Sequence, residues 1–231
     1  MSTPIVIMAA VFGGAAAAFL PRVADRLAVP YGEASRTACA RCGRRFPAGV
    51  TGWIRAGAAC GCARGARPVI ASALVATVLT VALGPVPRLP VLLVAGVLGA
   101  LLAMIDVRCL RLPDPLVCGL AVSAGVPLAL LAPERIGTAL AAGAVVGLAY
   151  LAIALLPGRG LGLGDVKLGA VLGLLLGFGG WPAVAVGLGA AHLLNGVVAG
   201  WLLISGRARG ARALPFGPAL LTGALIGLVA V

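Results

Sequence analysis

A chain of 231 residues that is 61% hydrophobic and 10% charged cannot coat a water-exposed globule, which carries roughly 25% charged residues. Lipid must be the solvent for most of it. The net charge of +12 reads as membrane orientation under the positive-inside rule. Nucleic-acid binding is set aside, because no soluble fold is available to carry a basic stripe. With aromatics at 4% and 35 Gly, closely packed helices are favoured over a large aromatic core.

The first apolar segment, residues 3–20, has no basic residue before it, and Arg22 and Arg26 follow. That is the reverse of a secretory signal's charge order and suits an anchor whose C-terminal end stays in the cytosol. Residues 21–68 then form a polar, Cys-rich insertion, too short to build a large core. Seven more apolar segments follow within residues 69–231, at 69–84, 89–106, 115–131, 136–156, 166–181, 182–204 and 214–231. The expected fold is all-α, a polytopic bundle of about eight transmembrane helices. Its three parts are a first helix (1–20), a cytoplasmic insertion (21–68) and a membrane core (69–231). Several segments fall short of the roughly 20 residues that cross hydrocarbon.

The connecting loops test that count. Residues 21–68 hold nine Arg; loop 107–114 holds Arg108 and Arg111; loop 157–167 holds Arg159 and Lys167; loop 205–213 holds Arg207, Arg209 and Arg212. These are 16 of the 18 basic residues, and the other connections hold only Arg88 and Arg135. If all eight segments span, the four basic loops share one side, which is then cytoplasmic, and both termini lie outside. The division between the sixth and seventh segments rests on the turn signal Gly179–Pro182.

Within the insertion stand Cys39-Ala-Arg-Cys42 and, after seventeen intervening residues, Cys60-Gly-Cys62. Two Cys pairs on tight turns can converge four thiolates on one tetrahedral ion, usually zinc. Gly43 suits a knuckle turn, and Arg41, Arg44 and Arg45 favour the thiolate form. A four-Cys site is closed to substrate, so its role would be structural. Disulfides or unrelated thiols are the alternative, and a cytosolic loop disfavours disulfides. Cys109 and Cys118 stand alone and receive no role.

Of the six acids, Asp106 ends the apolar run LLVAGVLGALLAMID and Asp165 opens GLGDVKLGAVLGLLLG. Charges at the hydrocarbon boundary are costly and usually functional. Gly99, Ala103 and Asp106 share one helical face, as do Asp165, Gly169, Gly173 and Gly177. Packing of these two small-residue faces would bring the carboxylates together. Two close carboxylates share a proton, one able to activate water and the other to polarise a carbonyl. That chemistry needs neither metal nor covalent intermediate. The plainer alternative makes Asp165 a helix cap. Asp114, before Pro115, reads as an N-cap followed by N1. Lys167 either steadies a carboxylate or marks the membrane boundary. His192 and Asn195, one turn apart, suit hydrogen bonding between helices, at a depth expected to lie far from the two aspartates.

The motifs together resemble the type IV prepilin peptidase family. IDVRCLRLPD at 105–114 is similar to its first aspartate motif, GLGDVKL at 162–168 to its Gly-x-Gly-Asp motif, and PFGP at 215–218 to the opening of its last helix. The Cys-rich loop is similar to its cytoplasmic insertion. The resemblance implies that Asp106 and Asp165 are catalytic, that Gly162, Gly164 and Lys167 shape the site or bind substrate, and that Cys39, Cys42, Cys60 and Cys62 hold zinc. It implies pilin-like precursors as partners, cut at the cytoplasmic face of the inner membrane just before their hydrophobic helix. Many members also methylate the new N-terminus with S-adenosylmethionine. No nucleotide-type Gly-rich loop marks a place for that cofactor here. The C-x-C spacing and the compact insertion depart from the family pattern.

Two rivals stand beside this. A presenilin-like or signal-peptide-peptidase-like intramembrane protease also uses Gly-x-Gly-Asp, but the Cys insertion and the Leu-Pro-Asp segment disfavour it. A non-enzymatic metal-stabilised scaffold or transporter is the other. Transporters often repeat one half in the other, and no clear repeat is seen.

Overall fold

Helices that are apolar on every side leave no water-facing stripe and belong in lipid. A computed structural model describes residues 3–30, 32–49, 51–54, 62, 66–157, 161–206 and 214–231. Those residues form ten α-helices and one short 3₁₀ turn (Pro133–Arg135), with no strand beyond the isolated bridge Ala38–Arg45. In chain order the helices are α1 (Thr3–Ala17), α2 (Leu20–Leu27), α3 (Thr51–Ile54), α4 (Ala66–Leu83), α5 (Leu89–Cys109), α6 (Asp114–Leu131), α7 (Ile136–Leu155), α8 (Leu163–Gly177), α9 (Trp181–Ile204) and α10 (Gly217–Ala230).

The protein is a polytopic all-α membrane protein. The eight expected apolar segments correspond to α1 and α4–α10. Among the described residues, five stretches are long and apolar enough to cross a membrane: Thr3–Leu27, Leu89–Cys109, Asp114–Leu131, Pro133–Leu155 and Trp181–Ile204. Arg67–Leu83 and Gly217–Ala230 are shorter apolar helices. Large apolar side chains such as Leu130, Leu193 and Ile204 stand exposed, as a lipid-facing surface requires. The expected turn before α9 forms at Gly180, whose φ of +92° lies in the region that glycine tolerates best.

The chain divides into two compact units, Met1–Arg111 and Leu112–Val231. In the first, α1 lies close on α4: a Cβ added to Gly13 would stand 2.6 Å from the Ser72 carbonyl oxygen. Thr80, fully buried on α4, donates its hydroxyl to the Ala76 carbonyl at 2.7 Å, which satisfies it within its own helix. In the second unit, α7 and α8 form a tight antiparallel pair, and α9 packs on α10 through Gly187, Gly223 and Gly227. Without a hydrophobic force between helices in lipid, such small-residue contacts are what hold neighbours together.

Glycines 169, 173 and 177 do line one face of α8, but their partner is α7. Cβ atoms added there would meet Tyr150, Val146 and Ala139 respectively. The expected pairing of this face with that of α5 is thus replaced by an α7–α8 contact. The reason is local: α7 offers Ala139, Ala142 and Val146 at matching spacing, and a short connection makes the two helices antiparallel neighbours.

Candidate active site and cysteine cluster

In the first unit, Asp106 occupies the last turn of α5 and is buried, 4% exposed. The helix ends three residues later, at Cys109. Leu110 adopts the left-handed conformation (φ +52°) and its N–H donates to the Asp106 carbonyl at 2.7 Å, an αL C-cap built without glycine. Two arginines fasten this end. Arg108 donates to the Pro21 carbonyl at 3.3 Å and stands 3.8 Å from Asp25. Arg111 donates to the Val29 and Pro30 carbonyls at 3.0 and 2.6 Å. The helix end carrying Asp106 is therefore tied to α2 and the loop after it.

In the second unit, Asp165 lies in the first turn of α8, with Gly162 as the N-cap residue. The Asp165 and Val166 N–H groups both donate to the Gly162 carbonyl, at 3.0 and 3.2 Å. The carboxylate folds back over that residue, since a Cβ on Gly162 would lie 3.2 Å from Asp165 Oδ2. Such a fold-back suits the positive end of the helix dipole, so this residue makes a capping contribution. Gly164 makes room for Leu112, whose Cβ would stand 3.3 Å from an added Cβ.

Asp114 departs from its expected role. Pro113 takes the N-cap position of α6, no side-chain cap bond forms, and Asp114 begins the helix. Its carboxylate instead receives Lys167 Nζ on both oxygens at 2.8 Å. The carboxylate that Lys167 is seen to hold is therefore that of Asp114.

His192 is nearer the Asp165 region than its place in the sequence indicates. Its ring meets Tyr150 edge-on at 5.7 Å and Phe216 at 5.4 Å, with Nδ1 2.8 Å from the Leu188 carbonyl. Tyr150 packs on Gly169, one turn from Asp165. Among the described residues, the buried Tyr150 hydroxyl has no hydrogen-bond partner. Sequence reasoning gave Tyr150 no role, and only the three-helix convergence of α7, α9 and the start of α10 brings these rings together.

The knuckle forms as the spacing predicts. The Gly43 N–H donates to the Cys39 carbonyl at 2.9 Å and the Cys39 N–H to the Arg44 carbonyl at 3.0 Å. Gly43 sits at φ +69°. The sulfurs of Cys39, Cys42 and Cys62 all lie within 4.8 Å of one another. Tetrahedral zinc thiolates, with Zn–S near 2.3 Å, need sulfurs about 3.8 Å apart, so the donor set fits such an ion with small closure. Cys60, together with Arg55, Arg64, Arg159, Arg207, Arg209 and Arg212, lies outside the described residues. The insertion is anchored to α2 by Arg26, a buried side chain whose guanidinium stacks 3.8 Å from the Trp53 ring and 5.4 Å from the Phe46 ring.

No curated protein and no solved structure matches this chain. A family model does: that of the type IV leader peptidase family, over residues 93–229. The matched span begins after the Cys-rich insertion. It includes Asp106, the Leu-Pro-Asp segment, the Gly-x-Gly-Asp turn and PFGP. With more than half its length inside that match and five of its described stretches long and apolar enough to cross a membrane, this chain belongs to the type IV leader peptidase family and is a multi-pass membrane peptidase.

Proposed function

We propose that the protein is an aspartyl endopeptidase that removes the leader peptide from type IV prepilin-like precursors at the cytoplasmic face of the inner membrane. Asp106 and Asp165 are its paired carboxylates. One observation carries the proposal: both residues fall inside the family-matched span, each ends or begins an apolar helix, and each is framed by a dedicated turn.

The chemistry follows from the pair. The ionised carboxylate takes a proton from water while the water oxygen bonds to the scissile carbonyl carbon. The protonated carboxyl gives its proton to the carbonyl oxygen, and a tetrahedral diol results. Proton transfer to the amide nitrogen then lets the C–N bond break. A new carboxyl and a new amine leave. Gly162 and Gly164 shape the turn that presents Asp165. The basic loops support an orientation with this edge in the cytosol and both termini outside.

Cys39, Cys42 and Cys62, completed by Cys60, would hold zinc as a structural ion that closes the insertion. Methylation with S-adenosylmethionine would follow cleavage at the newly freed amine, and belongs to the same assay as a second product.

The test is leader removal from a pilin-like precursor co-expressed in membranes, followed on a gel. Wild type should cleave. Asp106→Asn and Asp165→Asn should be present at normal levels and inactive. Cleavage by both variants would refute the paired-carboxylate mechanism. Failure of wild type on several leader-bearing precursors would refute the substrate assignment.

A further inference from the structure

The Leu-Pro-Asp segment and the Gly-x-Gly-Asp turn are 53 residues apart at the Asp114–Lys167 pair, yet they grip each other at two points. Leu112 fills the space beside Gly164, and the Asp114 carboxylate chelates the Lys167 ammonium. Gly164 and Lys167 are three residues apart and so share one face of α8. Lys167 is two residues from Asp165, about 200° around the helix. The grip is thus applied behind the aspartate. From a second direction, α7 holds the same end of the helix through Tyr150 on Gly169. Held by Leu112 and Asp114 on one side and by Tyr150 on another, this end of α8 is restrained against rotation and sliding, and Asp165 lies one turn before Gly169, along the face that α7 holds.

We propose that Asp114 and Lys167 form a positioning clasp for Asp165: they act not on the reacting atoms but by setting the rotation of the first turn of α8. This rests on the reading of Asp165 as catalytic. Side chains in this pair are about half exposed, at 54% and 53%, and exposed ion pairs contribute little to stability. A purely structural pair would therefore leave activity nearly unchanged. Positioning behaves differently, because a displacement near 1 Å at a reacting group lowers rate by about 100-fold.

The experiment measures kcat and KM for precursor cleavage by the full-length protein in membranes or detergent. Lys167→Met and Asp114→Asn should each lower kcat by roughly 10- to 100-fold with KM within about twofold. The double variant should lose no more than the worse single, because each partner works only through the other. Lys167→Arg, which keeps the ion pair, should retain most of the rate, and it also guards against a folding failure. Asp165→Asn runs alongside. If Asp165→Asn still cleaves, the catalytic reading of Asp165 falls. If Asp165→Asn is inactive while Lys167→Met and Asp114→Asn cleave like wild type, the clasp alone falls. Losses confined to KM, or losses that multiply in the double variant, also overturn it.

Discussion

Gly169→Ala tests whether close packing of α7 on α8 governs the end of α8 that carries Asp165. The added Cβ would lie 2.5 Å from Tyr150 Cδ2 and 2.7 Å from Cε2. Ordinary carbon contacts begin near 3.5 Å, so the ring must retreat by about 1 Å. Its freedom is small, for Tyr150 is 4% exposed and bounded by the His192 and Phe216 rings at 5.7 and 6.3 Å. The strain therefore passes to the helix pair at the turn below Asp165. Overpacking of this kind costs ~1–3 kcal/mol, which lowers Tm by roughly 3–10 °C for a chain of this size. The cleavage rate should fall by about 10- to 100-fold for a displacement near 1 Å. Thermal unfolding in detergent and leader cleavage give the two readouts. Gly119→Ala is the control: nothing lies within 4 Å of its added Cβ, and removing a helical glycine stabilises by roughly 0.5–1 kcal/mol. Gly169→Ala combined with Tyr150→Val, which vacates the clashing ring atoms, should recover stability over the single variant. A Gly169→Ala protein that melts and cleaves like wild type would refute the argument.

Other perturbations read separate parts of the molecule. Gly43→Ala forces an L side chain into φ +69°, at a cost of ~1–2 kcal/mol; zinc retention against a competing chelator should weaken by roughly 5- to 30-fold, with metal analysis as the check. Arg111→Met removes the donors to the Val29 and Pro30 carbonyls, and should destabilise by ~1–3 kcal/mol and slow cleavage by loosening the end of α5. Unchanged melting and cleavage in this variant would show that these bonds do not hold Asp106 in place.

Amino-acid order alone is enough to identify a membrane chain, because hydropathy and charge placement are local properties that need no contacts to be read. It also suffices for the knuckle, where C-x2-C followed by Gly43 encodes a turn by short-range geometry, and for the helix ends bearing Asp106 and Asp165. The partner of a helix face is another matter. The Gly169–Gly173–Gly177 stripe announces a close neighbour, but any small-residue face would serve, and only the folded chain selects α7 over α5. Asp114 illustrates the same limit: before Pro115 it has the local pattern of a cap, and an ammonium 53 residues away claims its carboxylate instead. Tyr150, His192 and Phe216 come from α7, α9 and the residue before α10, and no spacing links them. Local conformation follows from neighbours in sequence; which side chains meet follows from helix pairing, which is decided by the fit of whole surfaces in three dimensions.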